Sequence, residues 1–204
     1  MASELATLPR PEDDGGARGL EGKRLPDIAL PSTDGTPVTL SQAAERLVLY
    51  VYPSTAGPDG PPAPGWKEIP GAFGCTAESC AFRDRKESFR ALGVTVMGLS
   101  AQAPEVQSEF AARKEIDFPL LSDPQLRLAN TLGLPTFTAG TLRLYKRLTM
   151  VAESGAIVKV FYPVFPPDTH PADVLAWAQS HFQGPSVTRS AREHRAGRML
   201  HACW

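Results

Sequence analysis

The chain has 204 residues, 42% of them hydrophobic, and its 21 basic and 22 acidic side chains leave a formal net charge of −1. That length fits one domain with extensions and can bury a substantial core. A charge balance so close to neutral gives no pull toward nucleic acid or an anionic membrane surface, and no apolar run approaches a bilayer span, so neither partner is expected.

Residues 1–22 hold Pro, Gly and acidic side chains with almost no apolar periodicity and read as a flexible leader ahead of a main domain over 23–183. Regular structure is expected from about Leu25, with a turn at Thr33-Asp34-Gly35 and a short strand over 37–40. The run Leu-Val-Leu-Tyr-Val-Tyr at 47–52 predicts a buried strand, closed by Pro53. The stretch 57–74, dense in Pro and Gly, reads as a loop insertion, either a lid over a site or a passive surface loop. A helix is predicted over 75–92, with Phe82, Phe89 and Leu92 on one side and Gly93 as its stop. A strand over 94–99 follows. A helix over 104–114 then opens on Pro104, with Val106 and Phe110 facing inward. After a short strand at 118–121, Asp123-Pro124 predicts the cap of a helix ending at Gly133. Strands over 144–152 and 158–164 flank a turn at Glu153-Ser154-Gly155-Ala156. A last helix starts at His170-Pro171, with Val174, Trp177, Ala178 and His181 on one face. The order β-α-β-α-β-α-β-β-α, a parallel half followed by a hairpin and a helix, predicts an α/β thioredoxin-like fold, a central mixed β-sheet flanked by helices.

The segment Phe73-Gly74-Cys75-Thr76-Ala77-Glu78-Ser79-Cys80 carries most of the chemistry. Cys75 falls at the expected helix start, where unpaired backbone N–H groups and the helix dipole favour a thiolate and lower the thiol pKa. In an intact helix, positions i and i+5 have Cα atoms about 8–9 Å apart, whereas a disulfide needs about 4.4–6.8 Å. Cys75 and Cys80 can thus coexist as thiols in a folded helix and bond only if its first turn unwinds, the geometry of a redox switch. The plain alternative is two buried cysteines serving as small apolar side chains. Structural zinc wants four clustered ligands, and the four histidines lie in the last fifth of the chain, far from the thiols. A Cys-x-x-Cys motif is absent. Three cysteines with no apolar export signal suggest a reducing, cytoplasmic setting.

Gly74-Cys75-Thr76-x-Glu78-x-Cys80-x-Phe82-Arg83-Asp84 resembles the active-site segment of peroxiredoxins of the bacterioferritin-comigratory-protein (Q) type. The likeness continues through Ala91-Leu92-Gly93-Val94-x-Val96-x-Gly98-Leu99-Ser100 and Phe118-Pro119-Leu120-Leu121-Ser122-Asp123, and spans about 25–182. The resemblance implies a peroxidatic role for Cys75 and a resolving role for Cys80. It implies a thiol peroxidase acting on hydrogen peroxide and organic hydroperoxides, with no metal, haem or flavin, regenerated by thioredoxin or a glutaredoxin-like protein. A peroxide sensor of the same fold without sustained turnover is the alternative. It assigns Arg147, in Lys146-Arg147-Leu148-Thr149, to stabilise thiolate and transition state, against a plain solvent-facing reading; Arg83 would be a supporting ion-pair residue. The family's pattern puts a hydroxyl residue three positions before the nucleophile; this chain has Ala72 there. Thr55, just after Pro53, is the candidate to supply that hydroxyl. A monomer or weak homodimer is expected. The basic tail 184–204 carries Arg189, Arg192, Arg195 and Arg198 at three-residue spacing and ends with Cys203, a second candidate for resolving or intermolecular linkage.

Overall fold

A computed structural model describes residues 5, 7–57 and 60–183. The tail 184–204, with its four spaced arginines and Cys203, lies outside the described residues. The fold is built on β3 (Arg46–Val51), the second strand of the prediction, whose run is buried over five of its six residues. A strand apolar at consecutive positions must be covered on both faces. Leu47, Leu49 and Val51 enter one core with Leu20, Leu30, Met97, Leu128 and Met150. Val48, Tyr50 and the following Tyr52 enter a second, with Cys75, Phe82, Phe89, Phe110, Val174 and Ala178.

Around β3 the sheet has the order β5-β4-β3-β8-β9. β4 (Thr95–Ser100) and β5 (Leu120–Ser122) run parallel to it. β8 (Leu148–Glu153) and β9 (Ala156–Phe161) are antiparallel. Helices α1 (Cys75–Arg83), α2 (Lys86–Ala91), α3 (Pro104–Lys114) and α5 (His170–Phe182) bring apolar side chains to the second core. The short hairpin β1 (Ala29–Leu30) and β2 (Val38–Thr39) and helix α4 (Arg127–Leu132) cover the first. This is the mixed sheet flanked by helices that the element order predicts.

Several elements differ from expectation for identifiable reasons. The helix predicted over 75–92 is two helices, because Arg85 leaves helical geometry at a φ of −110° and its N–H closes a tighter turn on the Phe82 carbonyl. Asp123 caps α4 from a distance, its two oxygens accepting from the N–H groups of Arg127 and Leu128, both at 2.9 Å. The strand predicted over 144–152 breaks at Lys146-Arg147. Its first part, β7 (Leu142–Tyr145), pairs with β6 (Thr136–Ala139) in a separate hairpin. Val106 faces solvent; Gln107 shares the buried side of α3 with Phe110. His181 is exposed and stacks on Trp177 at 4.5 Å.

The expected flexible leader is instead packed over its described part. Leu20 is buried in the first core, Gly22 N–H bonds the Ile157 carbonyl at 2.8 Å, and Asp14 accepts from Lys146 and Tyr162. The insertion 57–74 is docked as well: Ala63, Trp66 and Ala72 form a small core with Ala139 and Leu144 of the β6–β7 hairpin. Asp14, through Lys146 and Tyr162, brings its part of the N-terminal segment near the C-terminal end of β3, where Val51 pairs with Leu148, whereas Gly22 lies toward the strand's other end; the C-terminal end is where open α/β sheets place their sites.

Candidate active site

The register of the sheet sets the site's position. Val51 pairs with Leu148, so Arg147, just before β8, sits beside the point where β3 hands over to Tyr52-Pro53-Ser54-Thr55. Gly74 brings Cys75 there. Its φ of 102° lies in the left-handed region, and a Cβ on it would stand 2.4 Å from Pro167 Cγ, so only glycine fits. Cys75 follows as the first residue of α1. The helix is tied to the sheet by Tyr50, whose hydroxyl lies 3.1 Å from Ser79 Oγ. Gly98 leaves the room for that hydroxyl, since a Cβ there would meet it at 2.7 Å.

Arg147 organises the site from a buried position, 3% exposed, which removes the solvent-facing reading. Its Nη2 lies 3.1 Å from Cys75 Sγ and also donates to the carbonyls of Ala72 (3.3 Å) and Phe73 (3.2 Å). Its Nη1 bonds Glu78 Oε2. Glu78 has no exposure, and its Oε1 has no hydrogen-bond partner among the described residues. One guanidinium therefore faces two buried acids, the Cys75 thiol and the Glu78 carboxyl.

The electrostatics reverse one expectation. The helix start was expected to lower the thiol pKa; burial pushes the Cys75 thiol up instead, and the Glu78 carboxylate adds to that, while Arg147 and the Ser54 backbone N–H pull it down. Burial likewise raises Glu78, from 4.5 to about 7, against the opposing pull of Arg147. Nearby, His170 Nε2 meets Thr149 Oγ1 at 2.8 Å, and burial together with the Arg147 charge lowers its pKa to about 3, so it is neutral at physiological pH.

A raised carboxyl pKa means that the folded protein binds a proton the unfolded chain has released. Stability linked to Glu78 is complete below pH 4.5 and is lost as pH rises to about 7. The swing is on the order of 3 kcal/mol. Denaturation of Glu78→Gln and the parent at a series of pH values should show the variant gaining relative stability across that window. The variant's Cys75 thiolate, read by its ultraviolet absorbance, should also form at lower pH than the parent's, because a raising charge is gone. A stability difference that stays constant from pH 4.5 to 7 contradicts the raised carboxyl.

The two thiols are both free, Cys75 buried and Cys80 half-buried on an intact α1. Thr55 does not bring its hydroxyl to the sulfur: it is buried and donates to Gln102 Oε1 at 3.1 Å, with its N–H on the same oxygen at 2.8 Å. The nearer donor from that loop is the Ser54 N–H. Arg83 pairs with Asp84 at 2.8 Å. Glu78 and His170 were present in the sequence without a role; Glu78's place in the Cys-x-x-Glu motif was the available signal. Among the described residues, no group of three or more His, Cys, Asp or Glu is placed to hold a metal.

A family model described as Redoxin matches residues 20–176. A chloroplastic peroxiredoxin Q of Sedum lineare is 31% identical over 166 residues, 80% of each chain. The chain belongs to the peroxiredoxin family. Peroxiredoxin Bcp of Escherichia coli is 27% identical over 78% of this chain and 96% of its own. The solved structure of peroxidoxin BcpB from Mycobacterium tuberculosis superposes with a TM-score of 0.65 at 30% identity, covering 79% of this chain and 97% of that one. This peroxiredoxin is thus of the Q/Bcp type, with a thioredoxin-like fold and thiol-dependent peroxidase activity. Among its described residues no helix is long and apolar enough to cross a membrane.

Proposed function

We propose that Cys75 is the peroxidatic cysteine, Cys80 the resolving cysteine and Arg147 the cation that stabilises both thiolate and transition state. The Cys75 sulfur, 3.1 Å from a buried guanidinium at the first turn of a helix that also carries Cys80, is the observation that supports this reading. The Cys75 thiolate attacks one peroxide oxygen and the O–O bond breaks. The other oxygen takes up a proton and leaves as water or an alcohol, and the sulfur becomes a sulfenic acid. Arg147 and the Ser54 N–H supply donors that the Ala72 side chain lacks.

In the second step the first turn of α1 unwinds, the Cys80 thiolate attacks the sulfenic sulfur, and hydroxide leaves as water on protonation. Unwinding is required because an intact helix holds the two Cα atoms about 8–9 Å apart. Thioredoxin or a glutaredoxin-like dithiol returns the disulfide to two thiols by exchange. Hydrogen peroxide and organic hydroperoxides are the substrates, the setting is the cytoplasm, and the working form is a monomer or weak homodimer.

Steady-state NADPH oxidation with thioredoxin, its reductase and peroxide tests the cycle. Sustained turnover is expected; one oxidation per protein molecule and then none would leave a sensor rather than an enzyme.

A further inference from the structure

The loop that follows β3 brings the Ser54 N–H to the Cys75 sulfur. The Ser54 hydroxyl is engaged elsewhere, donating to the Thr55 carbonyl at 3.2 Å. Beyond β3 the Tyr52 N–H still reaches the Leu99 carbonyl at 3.0 Å, and Pro53 then has no N–H to give. Among the described residues, the hydrogen bonds that hold Pro53, Thr55 and Ala56 come from side chains.

We propose that Ser100 and Gln102 are positioning residues for peroxide reduction: together they aim the Ser54 N–H at the Cys75 sulfur and at the oxygen it attacks. The inference rests on the peroxidatic assignment of Cys75. Three observations carry it. First, the Pro53 carbonyl and the Ser54 N–H belong to one planar peptide unit. The Ser100 hydroxyl, fully buried at the end of β4, donates to that carbonyl at 3.1 Å and so restrains the plane in which the N–H lies.

Second, Gln102 grips the next residue from both sides. Its Oε1 accepts from the Thr55 N–H at 2.8 Å and from the Thr55 hydroxyl at 3.1 Å, and its Nε2 donates to the Thr55 carbonyl at 3.3 Å. The peptide units on both sides of the Ser54 Cα are therefore tethered, one by Ser100 and the other by Gln102. Third, the two tethers are linked. The Gln102 N–H donates to Ser100 Oγ at 3.2 Å, which leaves the hydroxyl proton to point at Pro53. A donor held in advance costs no reorganisation when charge develops at the reacting atoms. Because the Ala72 side chain offers no hydroxyl, the alignment of this backbone donor counts for more.

The test is run on the reduced full-length protein and on Ser100→Ala, Gln102→Leu and Gln102→Glu. Stopped-flow rates with hydrogen peroxide and the ultraviolet absorbance of the Cys75 thiolate are followed across a pH series. The rate constant should fall by about tenfold in Ser100→Ala and in Gln102→Leu, less than the 10²–10³-fold of a donor removed outright. The thiolate of both should form at higher pH than the parent's, because an N–H aimed at the sulfur favours its charged form. Arg147, Glu78, Tyr50 and Tyr52, the titratable groups that face the sulfur, are the same in every variant. Gln102→Glu keeps an oxygen for both Thr55 donors and should restore the rate to within about threefold of the parent.

A merely structural role would lower the melting temperature and leave rate and thiolate titration of the folded variant at the parent's values. That result overturns the proposal, as does a Gln102→Glu protein as slow as Gln102→Leu. Gln102 is half-buried, so Gln102→Leu decides should Ser100→Ala fail to fold. A parent whose Cys75 does not react with peroxide overturns the peroxidatic assignment instead.

Discussion

Cys75→Ser is expected to abolish peroxide-dependent turnover, by on the order of 10⁴-fold or more, because among the described residues Cys75 is the thiol that the Arg147 guanidinium contacts. Cys80→Ser is expected to behave differently at each step. Its first reaction with peroxide should stay within about threefold of the parent in stopped-flow, since Cys80 lies outside the Arg147 contacts and loss of one half-buried thiol is a modest change. Multiple turnover with thioredoxin should collapse, and the stalled sulfenic acid should progress to the sulfinic form as peroxide rises. A Cys75→Ser protein with full turnover would remove the nucleophile assignment. A Cys80→Ser protein that cycles normally would remove only the resolving one.

Arg147→Ala should show the second large effect, on both stability and rate. Arg147 is the only basic partner that Glu78 and Cys75 share among the described hydrogen bonds. Removing it leaves a fully buried carboxyl without its counter-charge, which costs about 3–5 kcal/mol when the carboxyl is ionised. The Cys75 thiol, already raised by burial, loses its largest stabilising neighbour and should rise further. Loss of a positioned donor at the reacting oxygens should lower the rate constant with peroxide by about 10²–10³-fold. Arg147→Lys separates these contributions. A single ammonium keeps the charge but cannot span Glu78, two carbonyls and the sulfur with a planar fork, so stability should recover more than rate. The double variant Arg147→Leu/Glu78→Leu should recover stability and remain inactive. Denaturation midpoints with stopped-flow rates read both quantities, and an Arg147→Ala protein within threefold of the parent's rate would contradict the role given to the guanidinium.

The parts of this fold that were legible in the sequence are those decided by local pattern. The run of β3 had to be a doubly covered strand, and glycine before Cys75 followed by a helix placed the thiols at a helix start. What was not legible depends on residues far apart in the chain. Leu20 gives no periodic signal, yet contacts at Lys23 and Gly22 with Leu132 and Ile157 fix its segment in the core. Arg147 looked like a strand residue; its burial follows from the break between β7 and β8 and from the docked insertion, neither of which a propensity reading sees. Thr55 stood in a plausible place after Pro53, but Gln102 from the loop after β4 takes its hydroxyl. The direction of the Cys75 shift was misjudged for the same reason. A helix N-terminus is a local feature, whereas burial among Tyr50, Tyr52 and Phe82 is a tertiary one, and burial is the largest influence on the thiol.

The central claim is that peroxide oxidises Cys75 and that α1 unwinds to let Cys80 resolve it. Treating the reduced full-length protein with one equivalent of peroxide, blocking free thiols, digesting without reductant and mapping cross-linked peptides by mass spectrometry tests both parts together. The expected result is a Cys75–Cys80 disulfide within a single chain, with Cys203 recovered as a blocked free thiol. A Cys75–Cys203 bond, a bond between chains, or a protein in which Cys75 stays reduced would contradict it.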